Sequence, residues 1–348
     1  AAFPVVAQRQ SGFLMPYVVI NRSSGSVVQA PFFWAISNHA DATFYQTYLT
    51  ARGYMQSLNL RHKGPGGASL DVLGIYLNDN KDGAPSHNRY WVAGMVNQPL
   101  SSEIDLRLTV DRVSDPAFLE NFNYGYVGQK RYSKDLFMDF GRDLEQEEVK
   151  TRVSSLLLSG NFPYANLTLY GRLYQRLRTQ ELFPYQRLPG LQFTTLTVPV
   201  GSLPLRVGLE SEYGYFFQQG GSQGQKGPLF YNSQGTEGQR LQVHPRVWLQ
   251  SELFPGLALD AQAGVRGLVY YLNKTVPNGP EGPTITQGLY DVKARLTSAW
   301  YRDYGRQEGE GGEFYRHYLR PEVTYWHMPW YNPLRLPYFH PLDWGWVD

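Results

Sequence analysis

The sequence predicts an all-β chain that crosses a membrane as an antiparallel β-barrel of the outer-membrane type, and three observations lead there. The 348 residues include 26 Tyr, 18 Phe, 35 Gly and 23 Pro, with charged residues at only 18%. That composition suits strands and turns better than helices. No stretch approaches the roughly 18 consecutive apolar residues of a membrane-spanning helix. Barrel strands, by contrast, alternate apolar and polar residues and leave no such run.

The third observation is strict alternation over long stretches. Leu205, Val207, Leu209, Ser211, Tyr213, Tyr215 and Phe217 share one face, opposite Arg206, Gly208, Glu210, Glu212 and Gly214. Leu257, Leu259, Ala261, Ala263, Val265, Gly267, Val269 and Tyr271 repeat the pattern opposite Asp260, Gln262 and Arg266. Ile104, Leu106, Leu108 and Val110 alternate with Asp105, Arg107, Thr109 and Asp111. Such runs exceed the five or six residues usual in globular strands, and their polar side carries full charges. A tilted strand needs about 9–11 residues to cross a bilayer with one face in lipid and the other in water.

Taken in order, about fifteen strands are expected, near 12–20, 27–36, 42–50, 54–63, 69–77, 89–98, 103–113, 148–159, 164–177, 190–200, 204–217, 239–253, 257–272, 287–304 and 314–329. Most of one set of connections is compact and rich in Gly, Pro, Asn and Ser, as tight turns require. The long connections, 78–88, 114–147, 179–189, 218–238 and 273–286, belong to the alternate set. Short periplasmic turns and longer extracellular loops give that alternation. Within 114–147, Asp115-Pro116 followed by Ala117–Phe122 predicts a short helix with proline in its first turn. Gly220–Gly227 reads as a Gln/Gly-rich loop tip. Because single-chain bacterial barrels have an even strand number and an open edge in lipid is not viable, an odd count implies part of a larger barrel.

Several function classes are disfavoured. The 32 basic residues nearly balance the 30 acidic ones, so no global field attracts nucleic acid. With no Cys, thiol chemistry and Cys-ligated metals are excluded within the segment. The seven His, at 39, 62, 87, 244, 317, 327 and 340, are scattered, and no HExxH or GxSxG motif occurs. No enzymatic role, metal or organic cofactor is expected. The aromatic clusters Phe32–Trp34 and Tyr213–Phe217, together with Trp326 and Trp330, fit interface girdles, where a ring with a polar tip matches the headgroup boundary.

Particular segments are more specific. Arg9-Gln10-Ser11-Gly12-Phe13-Leu14-Met15-Pro16 resembles the start of the barrel in the LptD family, the lipopolysaccharide-assembly proteins once called organic solvent tolerance proteins. Ala30-Pro31-Phe32-Phe33-Trp34-Ala35-Ile36, with His39-Ala40-Asp41-Ala42-Thr43, resembles that family's Pro-aromatic-aromatic-Trp strand and the turn after it. Arg52-Gly53, Ser114-Asp115-Pro116, Leu319-Arg320-Pro321-Glu322 and Met328-Pro329-Trp330-Tyr331 follow in the family's order.

The resemblance implies that residues 1–348 are the N-terminal and middle part of an LptD-like transmembrane barrel domain. A preceding periplasmic β-jellyroll and further C-terminal strands would lie outside it. It also implies an outer-membrane translocon in a Gram-negative bacterium that places lipopolysaccharide in the outer leaflet. Sugars would pass through the lumen, and acyl chains through a lateral gate between first and last strands. The implied partners are lipopolysaccharide, outer-membrane lipid, an LptE-like lipoprotein plug and an LptA-like periplasmic bridge docking on the jellyroll. Proline lacks an N–H and is otherwise confined to sheet edges and bulges, where Pro16 and Pro31 could sit without any gating role. In the resembled family two prolines at these positions weaken the seam, so the resemblance implies a gate role for Pro16 and Pro31. Asp105, Arg107, Arg206, Glu210, Glu212, Asp260, Arg266, Asp291, Lys293 and Arg295 are expected to face the lumen, where ion pairing among themselves is as good a reading as contact with sugar or phosphate. A diffusion porin, also a barrel with a charged lumen, remains the rival reading of the strand pattern.

Overall fold

The computed structural model describes residues 9–144, 151–177, 185–217, 237–274, 282–304 and 315–330. The Gly220–Gly227 loop tip, His340 and Tyr331 lie outside them. Nearly all regular structure is antiparallel strand: β1 (Gly12–Phe13), β2 (Tyr17–Asn21), β3 (Gly25–Ala35), β4 (Ala40–Leu49), β5 (Gly53–Lys63), β6 (Ser69–Asn78), β7 (Asn88–Pro99), β8 (Ile104–Val113), β9 (Thr151–Asn161), β10 (Ala165–Arg176), β11 (Gln186–Thr195), β12 (Val198–Pro199), β13 (Leu205–Phe217), β14 (Glu237–Phe254), β15 (Leu257–Lys274), β16 (Thr284–Ser298), β17 (Trp300–Tyr304), β18 (Tyr315–Leu319) and β19 (Glu322–His327). Two helices, α1 (Ala117–Asn121) and α2 (Gln129–Phe140), interrupt them. Among the described residues no helix is long and apolar enough to cross a membrane.

The expected strands are present, with four of them divided. The first splits into β1 and β2, both paired with β3. The expected strand 190–200 is β11 plus the two-residue β12. The last two form one hairpin whose register runs unchanged from Thr297↔Glu322 to Trp300↔Leu319, yet the ladder lapses around Ala299 and Arg320-Pro321. Pro321 has no N–H to donate there. The expected helix after Pro116 is α1; α2 was not foreseen.

Compactness divides the chain into two units, residues 1–160 with 169–188, and 161–168 with 189–348. In the first, β3 to β8 form a meander with β1 and β2 on its first strand. Side chains alternate as predicted. Val27, Leu49, Met55, Leu73, Ile75, Leu77, Trp91, Met95 and Val113 are buried on one face, whereas Val18, Ile20, Val28, Leu58, Leu60 and Val92 are exposed on the other. In the second unit β13, β14, β15, β16 and β19 make a second meander, with β14 and β15 each 18 residues long.

The buried face of the first unit has a physical cause. The connection after β8 folds onto it, and Phe118, Leu119, Phe122, Val127, Tyr132, Leu136 and Leu144 join the strand residues in one apolar cluster. Polar groups on that face find partners in the same connection: Tyr132 donates its hydroxyl to Asp71 at 2.8 Å.

Candidate functional site

The site is built around the opening strand. Register places Phe13 opposite Phe32 and Tyr17 opposite Gln29, so Leu14, Met15 and Pro16 face only Ala30 and Pro31. One extra residue against the partner is a β-bulge. In an antiparallel ladder a residue's N–H and C=O point to the same neighbour, and successive residues alternate sides. The Pro31 carbonyl accepts from the Leu14 amide at 2.9 Å. Its missing N–H is therefore lost from the ladder between β3 and the opening strand, not from the β3–β4 pairing. Tyr17 turns its backbone toward Gln29, so the position before it, Pro16, turns away from β3. The two prolines thus remove donors from opposite sides of the first strand. Pro16 is exposed and Pro31 buried.

Against this bulge lies the turn between the two helices. The Tyr126 hydroxyl donates to the Met15 carbonyl at 3.1 Å, and its ring packs against Tyr45 (6.0 Å between centroids) and Tyr17 (6.4 Å). The Tyr126 amide donates to Gln29 Oε1 at 3.0 Å, while Gln29 Nε2 donates to Thr47. Gly125 has φ +71°, and a Cβ there would lie 2.8 Å from Gln29 Oε1. Glycine is the residue that tolerates both.

A buried ionic network holds the start of the same connection. Arg89, fully buried, grips Asp115 with Nε at 2.9 Å and Nη2 at 2.7 Å and reaches Asp79 with Nη1 at 2.9 Å. Arg52 donates to the same Asp79 oxygen, Oδ2, at 2.6 Å. Both guanidiniums lie over the Phe122 ring, at 5.2 and 5.1 Å. Burial pushes the Asp79 carboxyl up, but hydrogen bonds from Arg89, the Lys81 amide and Arg52 outweigh it and hold the group below the usual carboxylate range.

The charges expected to line a lumen divide between the units. On β8, Asp105 and Arg107 share the face of Asp111, which pairs with buried Arg152 at 2.5 Å. In the second unit, cross-strand register puts Arg206, Glu210, Glu212, Asp260, Arg266, Asp291, Lys293 and Arg295 on one face. The opposite face is apolar. Asp260 stands across from Arg295, and Lys293 from Gln262.

The sequence reading omitted the β14 residues that tie these charges together. Arg240 donates to Glu212 at 2.7 Å, and Arg246 pairs with Glu210. His244 gives its Nε2 proton to Asp291 at 3.0 Å, leaving Nδ1 to accept from Arg266 at 3.3 Å. Alternation along β14 carried the signal for all three, although Pro245 falls among them. The prediction left this face open between sugar or phosphate contact and mutual pairing. Among the described residues, Glu210, Glu212, Arg266 and Asp291 have partners on β14, and Arg295 approaches Glu322 at 3.8 Å.

Sequence comparison points to one family. The LptD family, described as LPS transport system D, matches residues 87–341. An LPS-assembly protein LptD from Pseudomonas savastanoi pv. phaseolicola is 26% identical over 372 residues, covering 97% of this chain and 36% of that protein. One from Vibrio vulnificus is 24% identical over 341 residues, covering 94% and 38%. One from Ectopseudomonas mendocina is 26% identical over 270 residues, covering 71% and 26%. The chain therefore spans between a quarter and two-fifths of these relatives' length. Among solved structures, Haemophilus ducreyi BamA aligns with 91% of the chain at 11% identity and a TM-score of 0.33, below the level that shows a shared fold. With residues 87–341, most of the chain, matched by the family, the chain belongs to the LptD family of outer-membrane β-barrel proteins.

Proposed function

We propose that this chain is the gate-bearing part of an outer-membrane translocon that delivers lipopolysaccharide to the outer leaflet. Its role is transport and assembly, with no covalent chemistry. Lipopolysaccharide joins several acyl chains to a phosphorylated sugar headgroup, so insertion needs a wet path and an apolar path at once. The charged faces supply the wet path. The acyl chains leave sideways where the first strand parts from the strand that closes the barrel. In hydrocarbon each unsatisfied backbone group costs several kcal/mol, so a seam opens readily only where few bonds must break.

The observation that carries this reading is the bulge at Leu14–Pro16, where Pro16 turns its missing donor away from β3 and Pro31 turns its own toward β1. The remainder of the machine, an LptE-like plug and an LptA-like bridge delivering to a periplasmic jellyroll, is proposed with it.

The test replaces both prolines in the full-length protein. Pro16→Ala with Pro31→Ala restores two donors, and delivery of newly made lipopolysaccharide to the surface should slow. Unchanged delivery, with normal protein levels in the outer membrane, would reject the gate. Size-selective solute flux that persists while lipopolysaccharide delivery stays unaffected would favour a porin.

A further inference from the structure

We infer that Tyr126 is a positioning residue for the opening strand: from the connection after β8 it holds the Leu14–Pro16 bulge in its closed register. The inference rests on the gate reading for its biological meaning but not for its physics. A bulge with a proline on either side has few bonds of its own to fix its geometry. Across it the Leu14 amide reaches Pro31, and the next bonded pairing is Tyr17 with Gln29. The Met15 carbonyl between them receives the Tyr126 hydroxyl. Gln29, directly before Ala30 and Pro31 on β3, accepts the Tyr126 amide through its side chain, so one residue bonds both sides of the weakened ladder.

The rest of the turn is shaped for this seat. Gly125 permits an approach that a Cβ would block against Gln29. Tyr124 gives its hydroxyl to Ser24 in the β2–β3 turn at 3.1 Å, and Arg131 lies 4.9 Å over the Tyr126 ring. Tyr17 and Tyr45 flank that ring from the opening strand's side and from β4. A segment that merely filled space would need the rings but not the hydroxyl. Displacing the turn would free the bulge, coupling whatever occupies that side of the sheet to the state of the seam.

The experiment compares Tyr126→Phe with Tyr132→Phe in the full-length protein and its native complex, embedded in lipid nanodiscs. Each variant removes one hydroxyl from the same connection; Tyr132 bonds Asp71 and the Ala93 carbonyl, far along the sheet from the bulge. Amide hydrogen exchange over residues 12–21 is the readout. Tyr126→Phe should speed exchange at the Leu14 amide about fivefold, as expected for one net hydrogen bond, whereas Tyr132→Phe should leave it unchanged. Gln29→Met, which removes the acceptor on the other side, should reproduce the Tyr126 result. Equal exchange in all variants, or acceleration by Tyr132→Phe alone, overturns the inference. Outer-membrane permeability to a bulky antibiotic separates it from the gate proposal. Faster exchange with greater permeability supports both, and faster exchange with unchanged permeability keeps the Tyr126 role while removing the gate.

Discussion

Arg89→Met should release the connection between β8 and β9 from the sheet it covers. Arg89 is fully buried, and its guanidinium engages Asp115 through two hydrogen bonds and Asp79 through a third. Methionine keeps much of the side-chain length but leaves Asp115 with no guanidinium and Asp79 with Arg52 alone. Removing one partner of a buried ionic network costs about 3–5 kcal/mol, because the remaining charges stay desolvated. At about 1.4 kcal/mol per decade, the open population of the connection rises roughly a hundred- to a few-thousandfold. Trypsin reads this directly, since Lys130, Arg131 and Lys134 lie on α2 and cleavage requires local opening. Arg52→Met is the comparison: it removes one of the two guanidiniums on Asp79, and Arg89 remains to hold both carboxylates. Cleavage within α2 should rise far more in Arg89→Met than in Arg52→Met, with the strands still resistant. Equal, unchanged cleavage in both variants would refute the argument that Arg89 anchors the connection.

Three further outcomes test other parts of the fold. The Asp79 carboxyl titrates below its unfolded value, so the stability it contributes is present above about pH 4 and is lost as pH falls through the folded value. Protection of the α1 and α2 amides, corrected for intrinsic exchange, should be flat down to about pH 4 and then fall; Asp79→Asn should remove that step, and a loss already complete near pH 6 would contradict it. Gly125→Ala forces a Cβ against Gln29 at positive φ and should destabilise the Tyr126 seat by about 1–2 kcal/mol, seen as faster exchange over residues 123–127; unchanged exchange would contradict the close approach. Val265 lies exposed on the apolar face of β15 and Gln262 on the charged face, so Val265→Arg should cost about 2–4 kcal/mol in urea titrations of vesicle-inserted protein while Gln262→Arg costs under about 1; equal penalties would contradict the assignment of faces.

The strands were legible because period-two alternation is local and survives without knowledge of partners. Leu205–Phe217 and Leu257–Tyr271 therefore appear as β13 and most of β15, and the charges read from alternation share a face. The interruptions were less legible, because they arise from register between strands. Helix α2 was missed although Gln129, Tyr132, Ser133 and Leu136 recur at helical spacing on its buried side. Two of those four are polar, which blurs the apolar stripe, and the partner of Ser133 is the Leu144 amide eleven residues on, which no helical pattern shows. The Tyr126–Met15 bond joins residues 111 positions apart, and no local pattern encodes it.

Proline count alone does not single out the opening strand, and Pro245 shows why. It sits inside β14, opposite Leu209 of β13, and the backbone of Gln250 turns toward β13, so Pro245 turns toward β15. The β14–β15 pairing skips His244 and Pro245 but resumes in the same register, from Val243↔Gly267 to Arg246↔Gly264. That lapse lies within a ladder extending from Glu237 to Phe254, and Arg266 reaches back to His244 beside it. One missing donor in so long a pairing leaves both flanks to hold the strands together. At the opening strand, among the described residues, the pairing beyond the bulge is Gly12 and Phe13, and the register has already slipped by one. A proline weakens a seam in proportion to how little pairing surrounds it, which is why Pro16 and Pro31 carry the gate proposal and Pro245 does not.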